Sequence, residues 1–424
     1  MSSPTQCRPD FIASNQIPVW VVITGNVRSG REFRRMFGQA VELRNKGLID
    51  GIRFVTWQGE LEQAQGLETA LTDSGISIIT IEPPKSDPRV HPLFHGYVYH
   101  QRKSLHFALQ SLPENCYVLK ARTDFAEERF ESMVATLFAA PDTCLRVTLP
   151  FPVISTRLFS YDARSDYLFY WDDIVFCGMR NDLLKFNNFD LSCEFIYPGH
   201  NPCAETRLFS QLFLNSYPII RWFFENIHGE RFARLLQVWL TSSESVPMPA
   251  LVRDILASYF HILSRYVILP KSDHSLIFPI SLRTYFLPND GIGLKEFAHP
   301  WRSHKLVNQC LLDRLRTDED FSDPNLASVV VTIRKMDHDV DARGAITPGF
   351  EAELDEFRSF SARFDICPFV SQAQLIPATE KGFCNPGQFL EHVELPEKRH
   401  LSRWQQRKQG ARKRAVHWLL GKFL

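Results

Sequence analysis

Apolar runs rich in β-branched residues, separated by segments of helical periodicity, constrain this chain more than any other feature. Pro18 to Thr24 (PVWVVIT) predicts a strand, and Gly25 ends it with a turn residue. Arg31 to Asn45 then sets Phe33, Phe37, Ala40, Val41 and Arg44 at helical spacing, and Gly47 supplies a stop. Ile52 to Trp57 (IRFVTW) predicts a second strand, Leu61 to Ser74 a helix, Ile76 to Ile81 (ISIITI) a third strand, and Tyr99 to Gln110 a helix. Tyr117 to Phe125 (YVLKARTDF) opens as a fourth strand. Strand and helix alternating over short connections argue for an α/β fold, with a mostly parallel sheet covered by helices on both faces. Ligands of such sheets sit outside the carboxyl ends of the strands, where Gly25, Trp57, Pro83 and Asp124 fall.

The rest of the chain is less regular. Cys144 to Pro150 predicts a strand, as does the region of Ile174 to Phe176. Ala204 to Asn215 reads as a helix with Leu208, Leu212 and Phe213 on one face. Ile227 to Tyr266 reads as mostly helical, broken by Pro247 and Pro249. Beyond Leu269-Pro270 no element order emerges. At 424 residues the chain exceeds what one core usually supports, so additions to the sheet domain are expected. The organisation expected is a core over 17–225, a helical insertion and C-terminal lobe over 226–397, and a tail over 398–424.

Composition excludes several classes. A formal net charge of zero gives no sign of a nucleic-acid partner. No apolar run is long enough for a transmembrane helix, and the N-terminal residues lack a signal peptide's apolar core. Nine cysteines without C-x-x-C spacing read as reduced thiols of a cytoplasmic protein. The tail, Lys398 to Leu424, combines nine Lys or Arg residues and no acid with Trp404, Trp418, Leu419, Leu420 and Phe423. That pattern suits an anionic membrane surface, or a basic helix docked on the parent domain.

Several residues could carry chemistry. Gly25 to Glu32 (GNVRSGRE) spaces its glycines like a P-loop, but Arg31 and Glu32 stand where the Lys and the hydroxyl belong. What remains is a modest anion site at a helix N-terminus, strengthened by Arg28 and Arg31. Arg102 and Lys103 are expected in the first turn of their helix, against its dipole, which hints at an anionic partner. In YVLKARTDF, Lys120, Arg122 and Asp124 alternate and so share a face. Asp124 at a carboxyl edge can hold a divalent cation that neutralises a diphosphate, and Arg122 can contact phosphate directly. A structural Arg122–Asp124 ion pair explains the same residues. Trp171-Asp172-Asp173 precedes an apolar strand, and Glu205 stands in a helix's first turn. Asp173 or Glu205 could serve as general base for an attacking hydroxyl.

The order VVITGNV, IRFVTW, YHQRKSLHFAL, YVLKARTDF, WDDIVFCGMRNDLLKF and CAETRLFSQLF resembles the WavE lipopolysaccharide synthesis family, glycosyltransferases of GT-A type that build bacterial surface polysaccharides. The resemblance covers roughly residues 17–225. It implies a GT-A-like, Rossmann-like core, a nucleotide-sugar donor and a glycan or lipid-linked glycan acceptor. It further implies that Gly25, Arg28 and Trp57 lie near the nucleotide, and Arg102, Ser104, Arg122 and Asp124 near the diphosphate or donor sugar. Trp171, Asp172, Asp173 and Glu205 would lie on the acceptor side, with Phe169-Tyr170-Trp171 suited to stacking on a sugar. Sister GT-A families carry Asp-x-Asp at this strand end, binding a metal. Here Arg122 replaces the first acid, which leaves dependence on Mn or Mg at Asp124 open. The expected activity is glycosyl transfer in lipopolysaccharide or capsule synthesis, by a cytoplasmic protein peripheral on the inner membrane face. The rivals are a non-catalytic glycan-binding or scaffold protein and another nucleotide-using α/β transferase, such as a sulfotransferase or nucleotidyltransferase.

Overall fold

The structure is a computed structural model. It describes residues 16–27, 31–64, 66–82, 96–123, 127–139, 145–161, 163, 168–169, 171, 174–186, 210–242, 246–270, 309–317, 321–343 and 348–369. Four strands come from the apolar runs: β1 (Val19–Thr24), β2 (Gly51–Trp57), β3 (Ser77–Ile81) and β4 (Tyr117–Arg122). Between them lie α1 (Arg31–Asn45), α2 (Leu67–Asp73) and α3 (Gly96–Gln110), and α4 (Glu127–Ala139) follows. β5 (Leu158–Ser160), β6 (Val175–Met179) and β7 (Val267–Ile268) complete one sheet in the order β3-β2-β1-β4-β6-β5-β7. β1 pairs in parallel with both β2 and β4, whereas β6 runs antiparallel to β4 and β5. The result is an α/β fold on a mostly parallel mixed sheet.

The strand order has a consequence for function. From β1 the chain goes outward to β2 and β3 on one side, then returns to lay β4 on the other. β1 and β4 therefore flank the topological switch point, where open α/β sheets place their ligands.

Each sheet face carries its own core. Val19, Val21, Ile23, Phe54 and Leu119 pack against Phe33, Phe37 and Ala40 of α1 and Phe130 and Leu137 of α4. On the other face Val22, Val55 and Val118 meet Leu105 and Leu109 of α3. That second core runs without interruption into a helical region: α6 (Pro218–Asn226), α7 (Gly229–Thr241), α8 (Ala250–Tyr266), α9 (Gln309–Arg316), α10 (Pro324–His338) and α11 (Phe350–Arg363), with α5 (Arg180–Phe186) beside α3. α8 is buried on nearly every side and leads directly into β7, so residues expected in a separate lobe contribute a strand to the central sheet. Pro247 and Pro249 fall between α7 and α8, as their missing N–H groups and fixed φ require. No described helix is long and apolar enough to cross a membrane.

Two local expectations need correction. No strand covers the described part of Cys144 to Pro150; Arg146 makes a lone bridge with Thr156. The Asp182 carboxylate accepts from the Ser155 and Thr156 amides and from both hydroxyls, at 2.7–3.3 Å, so a side chain takes donors a ladder would use. The helix expected from Leu61 begins only at Leu67, because Gly66 sits at φ +77°, outside helical geometry. Of the helix expected over Ala204 to Asn215, residues 204–209 lie outside the described residues; Ser210 is helical and a 3-10 turn, Gln211–Phe213, follows it.

Candidate functional site

The carboxyl edge of β1, β2 and β4 is a tight junction of turns. After Thr24 the chain turns at Gly25, whose φ of +128° is open to glycine and strained for other residues. A Cβ there would stand 2.5 Å from Thr123 Oγ1, so the β1 turn and the end of β4 touch through the glycine's missing side chain. The Gly25 amide donates to the Val55 carbonyl, and the Thr123 amide donates to the Thr24 carbonyl. Two side chains then tie the β1 turn to the end of β2. The Trp57 indole N–H donates to Asn26 Oδ1 at 3.0 Å, and the Val27 amide donates to Glu60 Oε2 at 2.9 Å. Such a junction holds backbone N–H groups in fixed places beside the switch point.

Beneath this rim the sheet carries cations. Lys120 and Arg122 occupy alternate positions of β4, on the face that α3 covers. Lys120 is 1% exposed, and its ammonium lies 4.9 Å from the centroid of the Phe176 ring on β6. Arg102 is also 1% exposed, on the buried stripe of α3 with Leu105 and Leu109. Arg122 is half-buried at the strand's last position, its amide donating to the Ile174 carbonyl. α3 runs opposite to the strands, so its first half lies toward the same carboxyl edge.

The structure sorts the expected site residues into three groups. Gly25, Trp57, Arg102 and Arg122 lie at or just under one edge of the sheet. Ser104 is buried, but its hydroxyl donates to the Gln101 carbonyl within the helix, a local bond that uses its only proton. Arg102 and Lys103 are not in the helix's first turn, because α3 starts three residues earlier than expected, at Gly96. The positive end of the helix dipole therefore does not act on these two residues, and Arg102 instead faces the sheet. Trp171 is fully buried with its ring edge-on to Phe213 at 5.8 Å, and Phe169 packs against Phe223, Phe224 and Tyr259. Both rings are core, with no exposed face for a sugar. Arg28, Asp124, Asp172, Asp173 and Glu205 lie outside the described residues, as do Pro83, Tyr170 and the tail from Lys398.

A divalent metal was the open question at Asp124. Among the described residues, no group of three His, Cys, Asp or Glu side chains could hold a metal ion. The described charged groups on that strand are Lys120 and Arg122, which repel a metal cation.

Sequence reasoning passed over Asn26, Glu60 and Thr123. Asn26 and Thr123 stood inside quoted motifs, but their roles depend on which strand ends become neighbours. Glu60 carried no signal beyond its place after Trp57 and Gly59.

A second polar cluster lies in the helical region. The Tyr217 hydroxyl is 2.7 Å from His261 Nδ1, His261 Nε2 is 3.0 Å from Asp337 Oδ1, and Arg265 grips both Asp337 oxygens at 2.7 and 2.6 Å. With Asp337 ionised, His261 donates through Nε2 and accepts the Tyr217 proton at Nδ1. Arg343 lies over the Tyr217 ring and donates to the carbonyls of Phe151 and Met336, while the Val153 amide donates to the Tyr266 hydroxyl. The network thereby joins α8 and α10 to the loop ahead of β5. Burial pushes the His261 pKa down to about 4, outweighing the carboxylate beside it. Burial works to raise the Asp337 pKa, but bonds from Arg265 and His261 prevail and hold it well below the usual carboxylate range.

The described cysteines, Cys116, Cys177 and Cys367, are free thiols, and burial pushes the Cys116 pKa up to about 12, which leaves it inert. Comparison with known proteins adds no name: no family model matches the chain, and no curated protein matches it significantly.

Proposed function

We propose that this chain is a GT-A-like glycosyltransferase that moves a sugar from a nucleotide-sugar donor to a cell-surface polysaccharide acceptor, in lipopolysaccharide or capsule synthesis. The observation that carries the reading is the cationic carboxyl edge at the switch point, with Arg122 ending β4 beside the Gly25 turn. The resemblance of residues 17–225 to the WavE family supplies the reaction class, and it rests on the motifs quoted above.

The chemistry suits these groups. Glycosyl transfer passes through an oxocarbenium-like state while the departing nucleoside diphosphate gathers negative charge. Arg122 stabilises that charge at the moment it develops. Trp57, held by Asn26, walls the nucleotide side. Asp173 or Glu205 accepts the proton of the acceptor hydroxyl if transfer inverts the anomeric centre. The tail over 398–424 brings the enzyme to the anionic cytoplasmic face of the membrane, where a lipid-linked acceptor is found.

Donor hydrolysis measured with a panel of nucleotide sugars tests the proposal, with Asp124→Ala alongside. One nucleotide sugar is expected to be turned over by the wild-type chain and lost in the variant. No turnover of any donor, with or without added glycan acceptors, would remove the transferase reading.

A further inference from the structure

We propose that the hydrogen-bonded chain Val153–Tyr266–Tyr217–His261–Asp337 is a proton-operated latch on the hairpin over 145–157, closed while His261 is neutral and opened when it takes up a proton. The latch stands apart from the donor site and does not depend on the glycosyltransferase reading.

The hairpin is a short antiparallel ribbon ahead of β5. The Val147 amide donates to the Ser155 carbonyl, and the Arg157 amide donates to the Leu145 carbonyl. β5 runs antiparallel to β6, and β6 antiparallel to β4, so the ribbon lies at the sheet edge opposite the end of β4. Its tip, Leu149 to Val153, presents Phe151 at 60% exposure between the exposed Pro150 and Pro152. Phe151 gains little from packing there, and polar bonds hold the tip instead. Arg343 Nη1 donates to the Phe151 carbonyl at 2.9 Å, and the Val153 amide donates to the Tyr266 hydroxyl at 3.2 Å.

An amide only donates and an ionised carboxylate only accepts, so the two ends of the chain fix the direction of every bond between them. The Val153 amide donates to Tyr266, the Tyr266 hydroxyl to Tyr217, the Tyr217 hydroxyl to His261 Nδ1, and His261 Nε2 to Asp337. Each hydroxyl passes its single proton forward. A proton on Nδ1 turns that acceptor into a donor. The Tyr217 hydroxyl must then point back at Tyr266, and the Tyr266 proton loses its acceptor. Arg343 acts on both tyrosines and brings only donors, and its Nη2 is already buried without a hydrogen-bond partner. Donors then outnumber acceptors in a site without solvent, which is costly. The bond from Val153 gives way first, because that amide is half-buried at a hairpin tip and can turn to water. Other charges set how hard the latch is to trip. Arg265 and Arg343 repel the imidazolium and burial disfavours it, while Asp337, already held by Arg265, favours it. On α9, Arg316 is engaged by the Ser264 and Val267 carbonyls. Burial prevails, and the closed latch keeps the His261 pKa at about 4.

Amide hydrogen exchange on the full chain, from neutral pH down to about 4, tests the latch, read as protection factors so that the intrinsic pH dependence of exchange drops out. In the open hairpin His261 is hydrated and regains its ordinary pKa of 6.5, so the closed state alone excludes the proton. Uptake of one proton on opening raises the opening constant about tenfold per pH unit below 6.5. Protection over 149–154 should fall with that slope, while α8, β4 and β6 keep theirs. His261→Gln, which takes up no proton, should flatten the slope, and Tyr266→Phe should unprotect the Val153 amide at every pH. A slope over 149–154 that persists in folded His261→Gln overturns the inference. So does wild-type protection in α8 and α10 lost together with that of the hairpin, since that is unfolding of the whole region. The wild-type comparison decides the matter even where circular dichroism shows a variant unfolded.

Discussion

The carboxyl edge of the sheet and the helical region both bury charge, but they dispose of it differently. Around α8 the charges close on one another. Asp337 takes both forks of Arg265 and one proton of His261, Tyr217 takes the other side of His261, and Arg343 donates from Nε and Nη1 to two carbonyls while its Nη2 is buried without a hydrogen-bond partner. At the strand ends Lys120, Arg102 and Arg122 lie on one face of the sheet layer, and Glu60 accepts from the Val27 amide in the turn after β2. A network that satisfies itself stabilises a fold and has little left for a ligand. The helical region is thus a structural network, and the strand ends are where the proposed donor would bind.

The largest effect expected from breaking this comparison lies in the helical region. Asp337→Ala leaves Arg265 and His261 buried without their carboxylate and should cost about 3–5 kcal/mol, read as a shifted denaturant midpoint. A related effect is pH-dependent. The folded protein excludes a proton from His261 until pH approaches about 4, whereas the unfolded chain takes it up below 6.5. Stability should therefore be full above pH 6.5 and fall as pH drops toward 4, by about 3 kcal/mol in all. His261→Gln, which keeps a donor and an acceptor, should flatten that slope. Denaturant titrations at several pH values provide the check, and an unchanged slope in the variant would assign the acid sensitivity elsewhere.

At the strand ends the balance should reverse. Arg122→Ala is expected to change the denaturant midpoint little, since the side chain is half-buried at a strand terminus, and to weaken nucleoside diphosphate binding by about 2 kcal/mol. A large stability loss with unchanged binding would mark Arg122 as structural. Gly25→Val should show both effects, because it strains a positive φ and drives a Cβ into Thr123. The smallest effect on the fold belongs to the tail. Deleting Lys398 to Leu424 should leave thermal unfolding unchanged and reduce binding to vesicles containing anionic lipid. Equal vesicle binding by both forms would exclude the membrane role.

Much of the sheet was legible in the sequence. The three runs Pro18 to Thr24, Ile52 to Trp57 and Ile76 to Ile81 lie within one residue of β1, β2 and β3, because continuous β-branched runs bounded by turn residues have few other uses. β5 and β7, at three and two residues, are too short to show a period, and only pairing within the sheet defines them. The edge position of Gly25, Trp57 and Arg122 was also legible, since an alternating α/β chain fixes which ends of its strands face the ligand. Trp171 and Phe169 suit either a sugar or a buried core, and the structure puts both in the core: a sequence shows that a stretch is aromatic, not what will cover it. The Tyr217–His261–Asp337 chain joins residues 44 and 76 positions apart, from the N-cap of α6, from α8 and from α10, and no spacing rule connects them.

Amide hydrogen exchange on the full chain, with and without saturating nucleoside diphosphate, tests the central claim most directly. The account predicts new protection in 24–27, 57–60 and 119–123, at the ends of β1, β2 and β4, with α8 and α10 unchanged. Protection confined to α8, α10 or the loop ahead of β5, with none at those strand ends, would contradict it.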